Sequence, residues 1–234
     1  MDTEASPLTP FGPDLWLVDG DRIRMLGIPF DTRMTVARLP DGGLWLHSPV
    51  APTPDRVAAV QSLGPVRHIV APNKFHNLFV APWFEQAPDA LRWGEPALIA
   101  RRPDLGLTPL EGEAPGAWGG AIAQTRFEGS NVLPELVFLH RPSRALIVTD
   151  ILQSHDPARE SAFWRGLKHL NGILAPDCGA PRDWRLTVRD KDAARASVEA
   201  ILAWDFDRVV LSHGICVPEG GKAVFERAFD WLRR

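Results

Sequence analysis

Three ionisable side chains stand where runs of apolar residues stop. His76 follows the run 68–71 and its break at Pro72, Asp150 comes just after 145–148, and His213 just after 209–211. One histidine or aspartate at a strand end is usually a hydrogen-bonded or turn residue, but three at edges that a fold can bring together point to shared chemistry. Two imidazoles and a carboxylate suffice to hold one divalent ion with open positions, and suit zinc, iron or manganese. Such an ion lowers the pKa of a coordinated water toward neutrality and polarises an oxygen of a substrate. Glu135 adds a second carboxylate, placed to orient a ligand or act as general base, so Glu135 and Asp150 are the candidate catalytic pair.

The elements that must position these groups can be read around them. Residues 68–71 form a buried strand, 73–77 a polar loop (Asn73, Lys74, His76, Asn77) and 78–86 a helix. In open α/β sheets ligands bind at the C-terminal edge of the strands, where loops leave side chains unburied. The clearest hairpin runs through 135–141, the turn Pro142-Ser143 and 144–150. A two-residue turn pairs Arg141 with Arg144 and sets Glu135 across from Asp150. Two carboxylates so placed repel unless a proton or a cation sits between them.

Upstream, short runs at 15–18, 23–28, 34–39 and 44–47, separated by Asp-Gly turns, read as an antiparallel meander. Thr53 caps a helix that begins at Pro54, has Val57, Val60 and Leu63 on one face, and ends at Gly64. Extended pieces are expected around 90–93 and 97–100. Helices are expected over 157–170, with Phe163, Trp164 and Leu167 inward, over 190–204 and over 217–232, and a last strand over 207–211. The stretches 101–120 and 171–184 read as loops, 1–13 as a flexible terminus, and 14–234 as a single domain.

With 26 basic and 29 acidic residues among 234, the net charge of −3 favours neither nucleic acid nor an anionic membrane as partner. No apolar run approaches the ~20 residues that span a bilayer, so a cytoplasmic protein acting on a small-molecule substrate is expected. Cys178 and Cys216 form no CxxC pair and read as inert thiols, with His155 and Cys216, the latter at a metal-compatible spacing from His213, as reserve ligand candidates. An exposed cluster including Trp83 and Trp93 would make a homo-oligomer interface. There is neither a GxSxG elbow nor a P-loop.

The order of elements, with a hairpin ending in Asp150 and a last strand ending in Ser212-His213-Gly214, resembles the metallo-β-lactamase fold, a four-layer αββα sandwich whose strand-edge loops hold one or two metal ions. The stretch Ala71-Pro-Asn-Lys-Phe-His-Asn-Leu-Phe resembles more closely an uncharacterised bacterial branch of that fold, a domain family without an assigned function. Matched to the superfamily's His-x-His-x-Asp-His, His76 takes the last histidine, while Ala71, Asn73 and Phe75 replace His, His and Asp. Asn131 replaces the histidine of the Gly-His-Thr-Pro-Gly turn, and His47-Ser48-Pro49 stands in place of an early Asp-Thr-Gly. The resemblance thus implies a reduced, mononuclear site of His76, Asp150 and His213, in a hydrolase of a small ester, lactone or amide. Asn73, Lys74 and Asn131 are expected to bind the substrate, Lys74 through an anionic group. The alternative is a degenerate, metal-free member that works as a binding or interaction protein.

Overall fold

A computed structural model describes residues 6–233. Of the terminus expected to be flexible, residues 1–5 lie outside the described ones, while β1 (Leu8–Gly12) is a strand paired antiparallel with β2 (Leu15–Asp19). Pro10 disguises it, because proline cannot donate to a ladder and is tolerated only at a sheet edge, where β1 lies. β3 (Ile23–Met25) and β4 (Ile28–Phe30) form a separate hairpin in place of one strand over 23–28, turning at Leu26 and Gly27 with φ of 50° and 82°. β5 (Arg33–Arg38) and β6 (Leu44–His47) complete the meander.

α1 (Pro54–Gln61) starts as its sequence implies, Thr53 accepting the Arg56 N–H at the N-cap. β7 (Val66–Ala71) then runs parallel to β6, followed by α2 (Val80–Gln86) and β8 (Leu91–Gly94). α3 (Pro96–Arg101) is helical where an extended piece is expected, because Glu95 caps it by accepting the Leu98 N–H and Pro96 occupies the first turn. β9 (Thr108–Pro109) ends the first sheet, whose order is β1-β2-β5-β6-β7-β8-β9.

β10 (Ile122–Phe127), β11 (Glu135–His140) and β12 (Ala145–Val148) open the second sheet. α4 (Ala162–Asn171), α5 (Arg182–Arg185) and α6 (Lys191–Leu202) precede β13 (Arg208–Leu211), which joins β12 in parallel, and α7 (Gly221–Phe229) follows.

Three apolar cores separate four layers. One packs Val60, Trp83 and Leu98 of α1–α3 on the outer face of the first sheet. A second holds Trp45, Trp118, Phe138 and Ile147 between the sheets, and a third packs Val198, Ile201 and Phe225 of α6 and α7 on the outside of the second sheet. Strands covered on both faces read as unbroken apolar runs, as β11 and β12 do. The result is the αββα sandwich of the metallo-β-lactamase fold. Trp83 is fully buried and its indole donates to the Val50 carbonyl, so it belongs to a core and not to the exposed interface expected of it. Among the described residues no helix is long and apolar enough to cross a membrane.

α4 departs furthest from expectation. Ser161 caps it, so it starts later than the helix expected over 157–170. Its apolar residues Phe163 and Leu167 are 66% and 42% exposed, whereas Lys168 is buried. The helix therefore turns its apolar stripe away from the sandwich.

Candidate functional site

The C-terminal ends of β6 and β7 in one sheet, and of β12 and β13 in the other, meet at one edge of the sandwich. A backbone bond from the Leu136 N–H to the Pro72 carbonyl ties the sheets together there. Beyond β7, the Asn73 Oδ1 accepts the N–H groups of Phe75 (2.8 Å) and His76 (3.2 Å), closing an Asx turn that fixes His76. The His76 Nδ1 lies 2.6 Å from the Ser48 hydroxyl just after β6. Ser48 has φ of 53°, a left-handed conformation that costs a non-glycine residue on the order of 1–3 kcal/mol and is held by its N–H bond to the Val70 carbonyl.

Asp150 leaves β12 with its carboxylate accepting 2.7 Å from the Asn73 amide. The same amide donates to the Thr149 hydroxyl and reaches Glu135, so Asn73 sits between the two carboxylates. His213 follows β13, and its Nδ1 lies 2.7 Å from the Asp31 carbonyl. A carbonyl only accepts, so this nitrogen carries a proton, and Nε2 is the nitrogen turned to His76 and Asp150. The glycine after it, Gly214, has φ of 95° and no room for a side chain against the Ser154 carbonyl.

The three groups converge. His76 Nε2 and His213 Nε2 are 3.2 Å apart, and each lies 3.3 Å from an oxygen of Asp150. One donor atom from each residue falls within 4.8 Å of the others. Ligands bound tetrahedrally to one ion at about 2.0 Å stand about 3.3 Å apart, so the two imidazoles have the spacing of ligands to a single transition-metal ion, and Asp150 sets one oxygen beside each. The remote nitrogens of both rings are engaged by Ser48 and Asp31, the arrangement that fixes tautomer and orientation in metal-binding histidines. Two imidazole nitrogens this close need a proton or a cation between them. Burial alone would raise the Asp150 carboxyl; the charge and hydrogen bonds of His76 and His213 outweigh it and hold it well below the usual carboxylate range.

Glu135 lies where the hairpin register sets it, since the pairs Phe138–Ile147 and His140–Ala145 continue to Glu135–Asp150. It is fully buried and does not line the cleft, which corrects the general-base role. Its oxygens accept the N–H groups of Thr149 (2.6 Å), Asp150 (2.7 Å) and Ile151 (3.3 Å). Burial and then the Asp150 charge push its carboxyl up to about 7. Glu135 holds the backbone beneath Asp150.

The residues expected to bind substrate do not meet there. Asn73 is fully buried and spent on the loop and Asp150. Lys74 rests over the Phe75 ring at 5.1 Å, outside the cleft lining. Asn131 is exposed, and its N–H bonds to the Thr187 carbonyl. His155, a reserve ligand candidate, stacks on His213 at 6.3 Å; its Nδ1 accepts from Lys168, and burial and that charge push it down to about 2. Cys216, the other reserve, accepts from Arg33 at 3.1 Å. Sequence reasoning missed Ser48 and Asp31. Ser48 is marked only as a departure from Asp-Thr-Gly, and Asp31 acts through its backbone, which leaves no trace in the sequence.

Fold and site together define a chain of the metallo-β-lactamase fold. Over 97% of its length it superposes on a metallo-β-lactamase from Pontibacter korlensis, covering 98% of that chain at 10% identity with a TM-score of 0.63. It superposes likewise on 60% of a metal-soaked Flv1 flavodiiron core from Synechocystis sp. PCC6803, with 97% of this chain covered at 13% identity and a TM-score of 0.65. A metallo-β-lactamase from Pseudomonas aeruginosa in its mono-zinc form gives 12% identity, 97% and 94% coverage, and a TM-score of 0.60. Residues 14–100 match the family described as Domain of unknown function (DUF4336). No curated protein matches the sequence.

Proposed function

We propose that the chain is a metal-dependent hydrolase with a mononuclear site of His76, Asp150 and His213, acting on an ester, lactone or amide. The observation that carries this reading is the convergence of the two Nε2 atoms, 3.2 Å apart, on a carboxylate that offers one oxygen to each, with both rings tied from behind. A divalent ion of zinc, iron or manganese there would supply Lewis-acid polarisation of the carbonyl oxygen and a more acidic water. The chain's own residues do the rest. Ser48 and the Asp31 carbonyl fix the imidazoles, the Asn73 amide orients Asp150, and Glu135 anchors the backbone that carries it. The Asp150 carboxylate, 13% exposed, is the base within reach of a water proton in the cleft.

A second reading rests on the same short contact. A proton on the His76 Nε2 satisfies the 3.2 Å pair without any metal, and would leave a degenerate binding protein. Elemental analysis separates the two readings. About one equivalent of metal per chain, lost in His76→Ala and His213→Ala, together with zinc-dependent hydrolysis of a p-nitrophenyl ester, supports the hydrolase. Metal-free protein after reconstitution overturns it.

A further inference from the structure

Asp150 lines the floor of a cleft of about 600 Å³ walled by α4, the β3–β4 hairpin and the loop before β11. Its walls are Met25, Phe30, Phe75, Val132, Trp164 and Leu167. Trp164 and Leu167 of α4 face the cleft, whereas Phe163, 66% exposed, does not line it, and the rim continues with Leu78, 60% exposed, beside the small cavity at His76 and His213.

The charges of the lining are as telling. Lys168 is the one cation among the described lining residues. Its three protons are taken by the Pro29 carbonyl (2.8 Å), the Glu160 carboxylate (2.8 Å) and the His155 Nδ1 (3.1 Å). The carboxylates Asp150 and Asp183 also face the cleft. Among the described lining residues no cation is free to neutralise an anionic ligand, whereas apolar surface is abundant.

We propose that this cleft binds the acyl part of a neutral, apolar ester or amide, a hydrocarbon chain or aryl group, with its carbonyl delivered to the His76–Asp150–His213 corner. At about 30 Å³ for each non-hydrogen group the cleft has room for up to about twenty of them. Its assignment as the substrate rests on the hydrolytic reading above; its binding does not.

Isothermal titration of the metal-free chain with butanamide, octanamide and octanoate tests the binding. Each methylene buried gains up to about fourfold in affinity, so octanamide is expected to bind at least thirtyfold more tightly than butanamide, and at least tenfold more tightly than octanoate. Leu167→Asp and Val132→Asp, both at exposed positions that leave the cores intact, are each expected to weaken octanamide about tenfold. Affinity that does not rise with chain length, octanoate binding as tightly as the amide, or variants without effect overturns the proposal. Chain-length-dependent binding by a zinc-loaded protein that hydrolyses no ester supports the cleft and removes the hydrolase reading. Hydrolysis of p-nitrophenyl acetate and octanoate at equal kcat/KM retains the hydrolase and removes this ligand.

Discussion

Asn73 is a small residue with a large share of the site: its oxygen holds two loop N–H groups and its amide holds Asp150. Asn73→Ala removes all of these bonds and leaves buried donors unpaired, so a loss of about 2–3 kcal/mol is expected, read from the urea midpoint at constant slope. Asn73→Asp keeps the acceptor but sets a third carboxylate against Asp150 and Glu135, and its deficit should grow between pH 5 and pH 8. His140 gives a cleaner pH dependence. It is fully buried and bonded to Ser143, and burial pushes it down to about 4 from its ordinary 6.5. A proton therefore binds the unfolded chain more readily. Stability is whole above pH 6.5 and falls by about 3 kcal/mol as the pH drops from 6.5 to 4. His140→Phe should flatten that part of the stability-pH curve. That His76, Asp150 and His213 would meet was legible residue by residue, because each ends an apolar run. Asn73, read as a substrate contact, was not, since an amide's partners depend on which strands come together.

Between elements, the strongest legible feature was the β11–β12 hairpin, whose two-residue turn sets every pair up to Glu135 and Asp150. α4 was legible as an amphipathic helix, but periodicity states only that one face is apolar and not what it faces. Its burial is carried instead by an ionic clamp: Lys168 binds Glu160 and the Pro29 carbonyl of β4, while Arg22 pairs with Glu160 and the Arg159 carbonyl. Removing one partner strands a buried charge. Lys168→Met is expected to lose about 3 kcal/mol, and the double variant Lys168→Met/Glu160→Leu less than the sum of the singles, in a double-mutant cycle by chemical denaturation.

Across the whole molecule, the candidate ligands come from both sheets, His76 beyond β7 and Asp150 and His213 beyond β12 and β13. An ion bound there would join the sheets at their open edge. Free metal at a thousandfold over Kd is expected to raise stability by about 4 kcal/mol, seen as a rise in Tm that vanishes in His213→Ala. The same sheets are joined deeper down by Trp118, fully buried against Trp45 at 5.7 Å, and Trp118→Ala should lose about 3–5 kcal/mol whether metal is present or not. The layer order was legible from the succession of elements. The three separate cores were not, because an unbroken apolar run does not tell which of its faces meets which layer. The β3–β4 hairpin is held at its base and free at its tip, where Leu26 is 97% exposed. A protease should nick the chain first between Leu26 and Gly27, leaving two fragments that stay associated, and occupancy of the neighbouring hollow should slow that cut.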